Sequence, residues 1–130
     1  MALQRNKPLR RVNPERAARR KAQRDSEGPL DKVTWEEAVH QLDSGLCVVT
    51  SRRIERRSYC YHHVIPKNRL RSDKRFEIVW DPRNGICLVY GVHKQWEDRH
   101  EGITIADLPE RCLEFAEETG YMGYIERMYG

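Results

Sequence analysis

No stretch of the chain approaches the roughly 18 consecutive apolar residues that a membrane-crossing helix needs, so no membrane association is expected. The four cysteines, Cys47, Cys60, Cys87 and Cys112, form no C-x-x-C pair, and no apolar secretory segment precedes them. That argues against a disulfide framework and for a reducing, cytoplasmic setting. There is no internal repeat. Apolar residues are only 38% of the 130, against 34% charged, so the core is modest and there is room for one domain.

Positive charge is abundant and unevenly placed. The net charge is +4, yet Arg5, Lys7, Arg10, Arg11, Arg16, Arg19, Arg20, Lys21 and Arg24 face one acid, Glu15, in residues 1–24, which carry +8 and leave −4 to the rest. A second block, 51–75, holds nine bases against Glu55 and Asp73. Two such blocks read as contacts to a polyanion. The first 30 residues have almost no apolar periodicity and are punctuated by Pro8, Pro14, Gly28 and Pro29, which makes them an arm. Asn13-Pro14 is suited to open a helix over about 14–24, cationic nearly all round and with no face to bury. Charge patterning alone leaves two readings of the arm, a disordered solubilising tail or a nucleic-acid contact.

Further along, Thr34-Trp35-Glu36-Glu37 reads as a capping box for a helix ending near 43, with Trp35, Val39 and Leu42 on one face and Gly45 as the left-handed residue beyond it. Leu46–Thr50 and Tyr59–Ile65 suit short strands, the second stopped by Pro66. Residues 66–77 read as loop and Asp81–Gly85 as a turn before a strand over Ile86–Tyr90. A helix over about 92–99 follows, then one opened by Pro109 and closed by Gly120, and a last turn or two over 121–128. The C-terminal segments carry the acidic excess and read as packing elements with no functional signal.

His62-His63 puts two imidazoles, groups that titrate near neutrality, at one strand end. Alone the pair is weak evidence, since such a pair is more often surface or core polar packing than a site. The order that follows adds weight: a turn ending in Asn84, a short apolar strand, and His93 at the start of a helix. His40 has no partner in this pattern and reads as structural.

In His62-His63-Val64-Ile65-Pro66-Lys67, then Trp80-Asp81-Pro82-Arg83-Asn84-Gly85-Ile86-Cys87-Leu88, then Val92-His93, the chain resembles the HNH endonucleases, and more closely the small HNH proteins of bacteriophages and actinobacteria. The resemblance spans about 47–100. It implies a small ββα-metal core over about 59–100; with the flanking helices read above (C-terminal ones over 108–128) and the basic arm over 1–30, expected to be disordered, this gives an α+β fold with a nuclease domain over 31–130. It implies His62 and His93 as metal ligands, His63 as general base, and Asn84 as the residue that ties down the loop and so orients the base.

A divalent cation on neutral imidazoles keeps positions open for a phosphate oxygen and the leaving oxygen, and a histidine near its pKa can accept a proton from attacking water. Glu97, four residues beyond His93 on the same helix face, is a third candidate ligand, its alternative being a solvated carboxylate. His100 ranks below it. Consecutive strand residues point to opposite faces, so His62 and His63 share a site only where the strand twists or breaks.

Many relatives carry two C-x-x-C pairs around a structural zinc. Here Cys47 is followed by Thr50, and Val89 and Val92 stand at the other two places, so structural zinc is not expected and the cysteines read as small buried hydrophobes. The expected cofactor is one divalent metal ion: Mg²⁺, Mn²⁺, Ni²⁺ or Zn²⁺. Arg52, Arg53, Arg56, Arg57, Lys67, Arg69, Arg71, Lys74 and Arg75 flank the site and are expected to contact phosphates. Expected partners are double- or single-stranded DNA and phage packaging or recombination proteins, with the chain a monomer or homodimer. The expected activity is metal-dependent hydrolysis of DNA phosphodiester bonds. The competing class is a non-catalytic nucleic-acid-binding module of the same fold, acting in phage DNA packaging or replication.

Overall fold

The computed structural model describes residues 13–27 and 30–130, so expectations resting on residues 1–12 and on Gly28 and Pro29, including disorder there, lie outside the described residues. Asn13 opens helix α1, Pro14–Ser26, its side-chain oxygen accepting from the backbone N–H of Glu15 (3.0 Å) and Arg16 (3.2 Å). Proline fits the first helical position because its missing N–H would have no partner there. The arm's helix was expected to bury nothing, but its exit is anchored. Glu27 is buried and accepts two bonds from Arg71 (2.9 and 3.2 Å) and one from the Trp80 indole (3.0 Å). Three donors are what makes a buried carboxylate tolerable.

Helix α2 spans Lys32–Leu42 and begins two residues before the expected capping box. Its cap is Asp31, whose carboxylate accepts from the Thr34 N–H at 2.9 Å. Trp35 and Val39 are buried as the periodicity requires, whereas Leu42, expected on the same face, is 52% exposed. The helix exits through Ser44 and Gly45, both at positive φ (54° and 69°). No strand forms over 46–50. Cys47 N–H bonds to the Arg52 carbonyl and Ser51 N–H to the Cys47 carbonyl, both at 2.8 Å, closing the chain into a tight turn that leaves only an isolated Leu46–Arg53 bridge.

The sheet has two antiparallel strands, β1 (Tyr61–His63) and β2 (Gly85–Cys87), paired Tyr61 with Cys87, His62 with Ile86 and His63 with Gly85. Both are shorter than their apolar runs suggest. A 3₁₀ turn, Ser58–Cys60, precedes β1, and after His63 the chain is captured by Asn84. The Asn84 amide accepts from Ile65 N–H (2.8 Å) and donates to the Ile65 carbonyl (2.9 Å), standing in for a strand partner. Residues 66–77, expected as loop, instead form helix α3, Lys67–Ser72, and a 3₁₀ turn, Phe76–Ile78. Pro66 starts α3 with its fixed φ, and Leu70, fully buried, holds the helix down. One apolar anchor in six residues is too little for periodicity to register.

Helix α4, Tyr90–Arg99, follows β2 closely and completes a ββα unit. Helices α5 (Glu110–Thr119) and α6 (Met122–Tyr129) pack behind, with Gly120 at φ 86° turning the chain between them.

Two contacts bind α2 to the sheet. A Cβ on Gly85 would lie 2.4 Å from Val39 and 2.6 Å from Trp35, so only glycine lets the helix come this close. Asp43, nearly buried, accepts from Cys87 N–H at 2.8 Å and pairs with Arg111 of α5 at 2.7 Å, while Arg111 donates to the Gly85 carbonyl at 2.8 Å. All four cysteines are buried thiols in this core, and Val89 and Val92 pack against its edge. Among the described residues no helix is long and apolar enough to cross a membrane.

Candidate active site

A cleft of about 550 Å³ opens across the end of β1, lined by both His62 and His63 together with Trp35, Trp80, His93 and Glu97. The two histidines share it because the strand stops at His63, so side chains leaving opposite faces reach the two walls of one opening.

On the first wall His62 is buried, with Nδ1 3.2 Å from His93 Nε2 and Nε2 3.0 Å from the Tyr129 hydroxyl. His93 sits in the first turn of α4, with Nδ1 bonded to the Tyr59 carbonyl. Its Nε2 also lies 3.2 Å from a carboxylate oxygen of Glu97, one turn further on. These contacts determine which nitrogens carry hydrogen. A carbonyl only accepts, so His93 Nδ1 is the N–H and, in the neutral ring, Nε2 holds a lone pair. Tyr129 has one hydroxyl hydrogen, and it goes to the Val64 carbonyl at 2.8 Å. The hydroxyl therefore accepts from His62 Nε2–H, and His62 Nδ1 holds a lone pair too.

Two nitrogen lone pairs thus face each other at 3.2 Å beside a carboxylate, an arrangement that calls for a cation. Ligands about 2.0–2.1 Å from one metal, at tetrahedral to octahedral angles, lie roughly 2.8–3.4 Å apart, which both measured separations satisfy. Burial first, then the nearby His93 and His63, push His62 well below the ordinary histidine value, so His62 is neutral and its Nδ1 keeps the lone pair. Glu97 is 64% exposed, so the imidazoles are fixed donors and the carboxylate a movable one; among the described residues, no group of three or more such side chains is arranged as a ready-made metal cage. His100 caps α4 on the cleft wall, edge-on to Trp96, with no contact to His93 that would bring it into the donor set.

The second wall is aromatic. His63 stacks on Trp35, centroids 3.9 Å apart and planes 10° from parallel, and meets the edge of Trp80 at 5.5 Å. Its Nε2 donates to the Val79 carbonyl at 3.0 Å, so Nδ1 holds the lone pair. Burial lowers His63 to about 3, only partly offset by that carbonyl, so the ring is neutral at ordinary pH. Trp35 is held in turn by its indole N–H on the Asp81 carbonyl at 3.1 Å. Asn84 is fully buried and does not line the cleft; it binds the backbone of Ile65, two residues past His63.

The cations are distributed differently from the expectation that nine flank the site. Lys67 lines the cleft, over the Trp80 ring at 5.2 Å, with its pKa lowered by burial and then by Arg71. Lys32, at the start of α2, lines it as well. Arg71 is committed to Glu27, Arg69 to Asp73 at 3.0 Å, Arg75 to Glu77 at 3.2 Å and to the Thr119 carbonyl at 3.0 Å, and Arg56 to Glu37. Arg57 lies 3.8 Å from Glu55, and Arg52, Arg53 and Lys74 are exposed away from the opening. Sequence reasoning missed Trp35, Trp80, Lys32 and Tyr129 as site residues. Only the two tryptophans left a signal, as large aromatics close in sequence to charged loops.

No curated protein and no solved structure matches the chain. The stretch 47–104, which contains β1, β2, α4 and the histidines of both walls, matches the family model of the HNH endonucleases.

Proposed function

We propose that the protein is a metal-dependent endonuclease that hydrolyses DNA phosphodiester bonds, in a phage or prophage setting, as the resemblance to small phage HNH proteins suggests. The observation that carries this reading is the facing pair of lone pairs on His62 Nδ1 and His93 Nε2, opposite a neutral histidine on the other wall of the same cleft. His62 and His93 would hold the cation, with Glu97 as an adaptable third ligand. When bound, a divalent ion supplies stabilisation for the charge that develops on the phosphate and the leaving oxygen.

The remaining work falls to the chain itself. His63 keeps a lone pair on Nδ1 because Nε2–H is committed to Val79, and it accepts the proton of the water that attacks phosphorus. Its burial makes it a weak base in the empty cleft, and an anionic phosphate drawn in beside it raises its proton affinity. Lys67 and Lys32 line the opening and hold that phosphate. Asn84 keeps the chain after His63 in place through Ile65.

Relaxation of supercoiled plasmid with Mg²⁺, Mn²⁺, Ni²⁺ or Zn²⁺, beside a chelator control and His63→Ala, tests the proposal. Cleavage should require the metal and fall by about 10²–10⁴-fold in the variant, the range for loss of a general base. Tight DNA binding with no cleavage under any of these ions would instead support the non-catalytic binding module.

A further inference from the structure

Tyr129 stands 67 positions from His62 and outside the stretch that matches the nuclease family, yet its hydroxyl meets His62 Nε2 at 3.0 Å. The side chain is 3% exposed and its ring stacks on Trp96 at 4.4 Å with planes 5° apart, so the hydroxyl has little freedom. Its hydrogen is taken by the Val64 carbonyl at 2.8 Å. Val64 follows the histidine pair, and its own N–H is fixed on the Asn84 carbonyl at 3.1 Å. Helix α6 therefore presents His62 with an acceptor and not a donor.

We infer that Tyr129 is a positioning residue that locks His62 in the Nε2–H tautomer and so keeps Nδ1 as a lone pair aimed at His93 and the cation position. The inference rests on the metal reading of His62 and His93 for its consequence, but the tautomer lock stands on the hydrogen bonds alone. The alternative tautomer puts a hydrogen on Nδ1, where it bonds to His93 Nε2 and closes the space between the two rings. That state is a good hydrogen bond but a poor metal site. Without Tyr129 the two tautomers compete, and part of the metal's binding free energy is spent in reversing the wrong one.

Tyr129→Phe removes the hydroxyl and keeps the ring stack on Trp96. Nitrogen-15 NMR of the metal-free protein near neutral pH reads the His62 tautomer directly, and calorimetric titration with Ni²⁺ reads the affinity. Wild type should show Nε2–H, and the variant mostly Nδ1–H, with the competent form a minority of about a tenth or less and metal affinity weaker by about 10–100-fold, the usual consequence of losing an outer-shell partner of a ligating histidine. A merely structural tyrosine would leave the tautomer unchanged. The inference is overturned if the wild-type ring carries its hydrogen on Nδ1, a result that needs no variant to fold, or if the variant keeps both the tautomer and the affinity. Wild type that shows the Nε2–H form but binds no Ni²⁺, Mn²⁺ or Zn²⁺ sinks the metal reading instead, and the NMR comparison still decides the lock.

Discussion

Adjacent residues His62 and His63 live in opposite surroundings. His62 is enclosed by hydrogen-bonding groups, Tyr129 on one nitrogen and His93 on the other, so both of its ring nitrogens have assigned partners. His63 lies between two indoles with a single bond to the Val79 carbonyl. The first environment fixes where a lone pair points and suits a metal ligand, which must be aimed. The second keeps a ring neutral and rigid while leaving one nitrogen uncommitted, and that suits a proton acceptor. Strand alternation is the device that separates the two environments, since one residue step turns the side chain from α4 and α6 to α2.

The sharpest way to break this comparison is to remove each function alone. His93→Ala should weaken metal binding by well over 10-fold, because one of few protein donors is lost, and should abolish cleavage with it. His63→Ala should leave metal affinity within a few-fold of wild type. Calorimetric metal titration beside the plasmid assay reads both. Equal loss of metal affinity in the two variants would mean that the walls act as one cluster and that the division of roles is wrong.

A smaller effect isolates the aromatic wall. Gly85→Ala places a methyl group 2.4 Å from Val39 and 2.6 Å from Trp35, and the neighbours are packed ring and branched side chain with no flexible end to swing aside. Helix α2 must move off the sheet, at a cost of about 1–3 kcal/mol by analogy with other overpacked cores. Trp35 moves with it and the stack on His63 loosens. Denaturant unfolding should show the lost stability, and cleavage should drop while metal affinity holds, because the polar partners of His62 and His93 are each other, Tyr129, Tyr59 and Glu97, none of them on α2. Unchanged unfolding would mean that the backbone accommodates a side chain at Gly85.

How much of this was legible in the sequence follows the same division. His62, His63, Asn84 and His93 could be found because their order along the chain carries the pattern, and the turn at Asp81–Gly85 and the glycine stops are local chemistry. Tyr129 could not be found, because its contact with His62 exists only once α6 folds back on β1. Lys32 and Trp35 reach the cleft for the same reason, through α2. The nine cations were read as a phosphate track from charge density alone, which does not show that Glu27, Asp73 and Glu77 pair with Arg71, Arg69 and Arg75, although two of those acids lie within four residues of their partners. The short helix α3 was hidden because Leu70 is its one buried anchor.

The smallest expected effect concerns the start of α2, where two caps compete in the sequence. Thr34 with Glu37 has the pattern of a capping box, but Asp31 also stands three residues before Thr34 and can accept the Thr34 N–H. The helix takes the longer option, because starting at Lys32 adds nearly a turn while the Asp31 carboxylate satisfies an otherwise orphaned donor. Hydrogen bonds from Thr34, backbone first and then side chain, hold the Asp31 carboxyl below its ordinary value of 3.8. A depressed folded-state value means that the cap contributes in full above the unfolded carboxyl's pKa and is lost as pH falls through the folded one. Asp31→Ala should therefore lower Tm by about 4 °C near neutral pH. The difference from wild type should shrink below pH 4 and vanish once the carboxyl is protonated. Metal affinity should not change, because the cap supports only the Trp35 side of the cleft. Thermal unfolding of both proteins across pH 2.5–7 checks it. A Tm gap that persists unchanged in acid would show that the loss at Asp31 is not one of a charged cap, and a variant as stable as wild type at pH 7 would return the cap to Thr34 and Glu37.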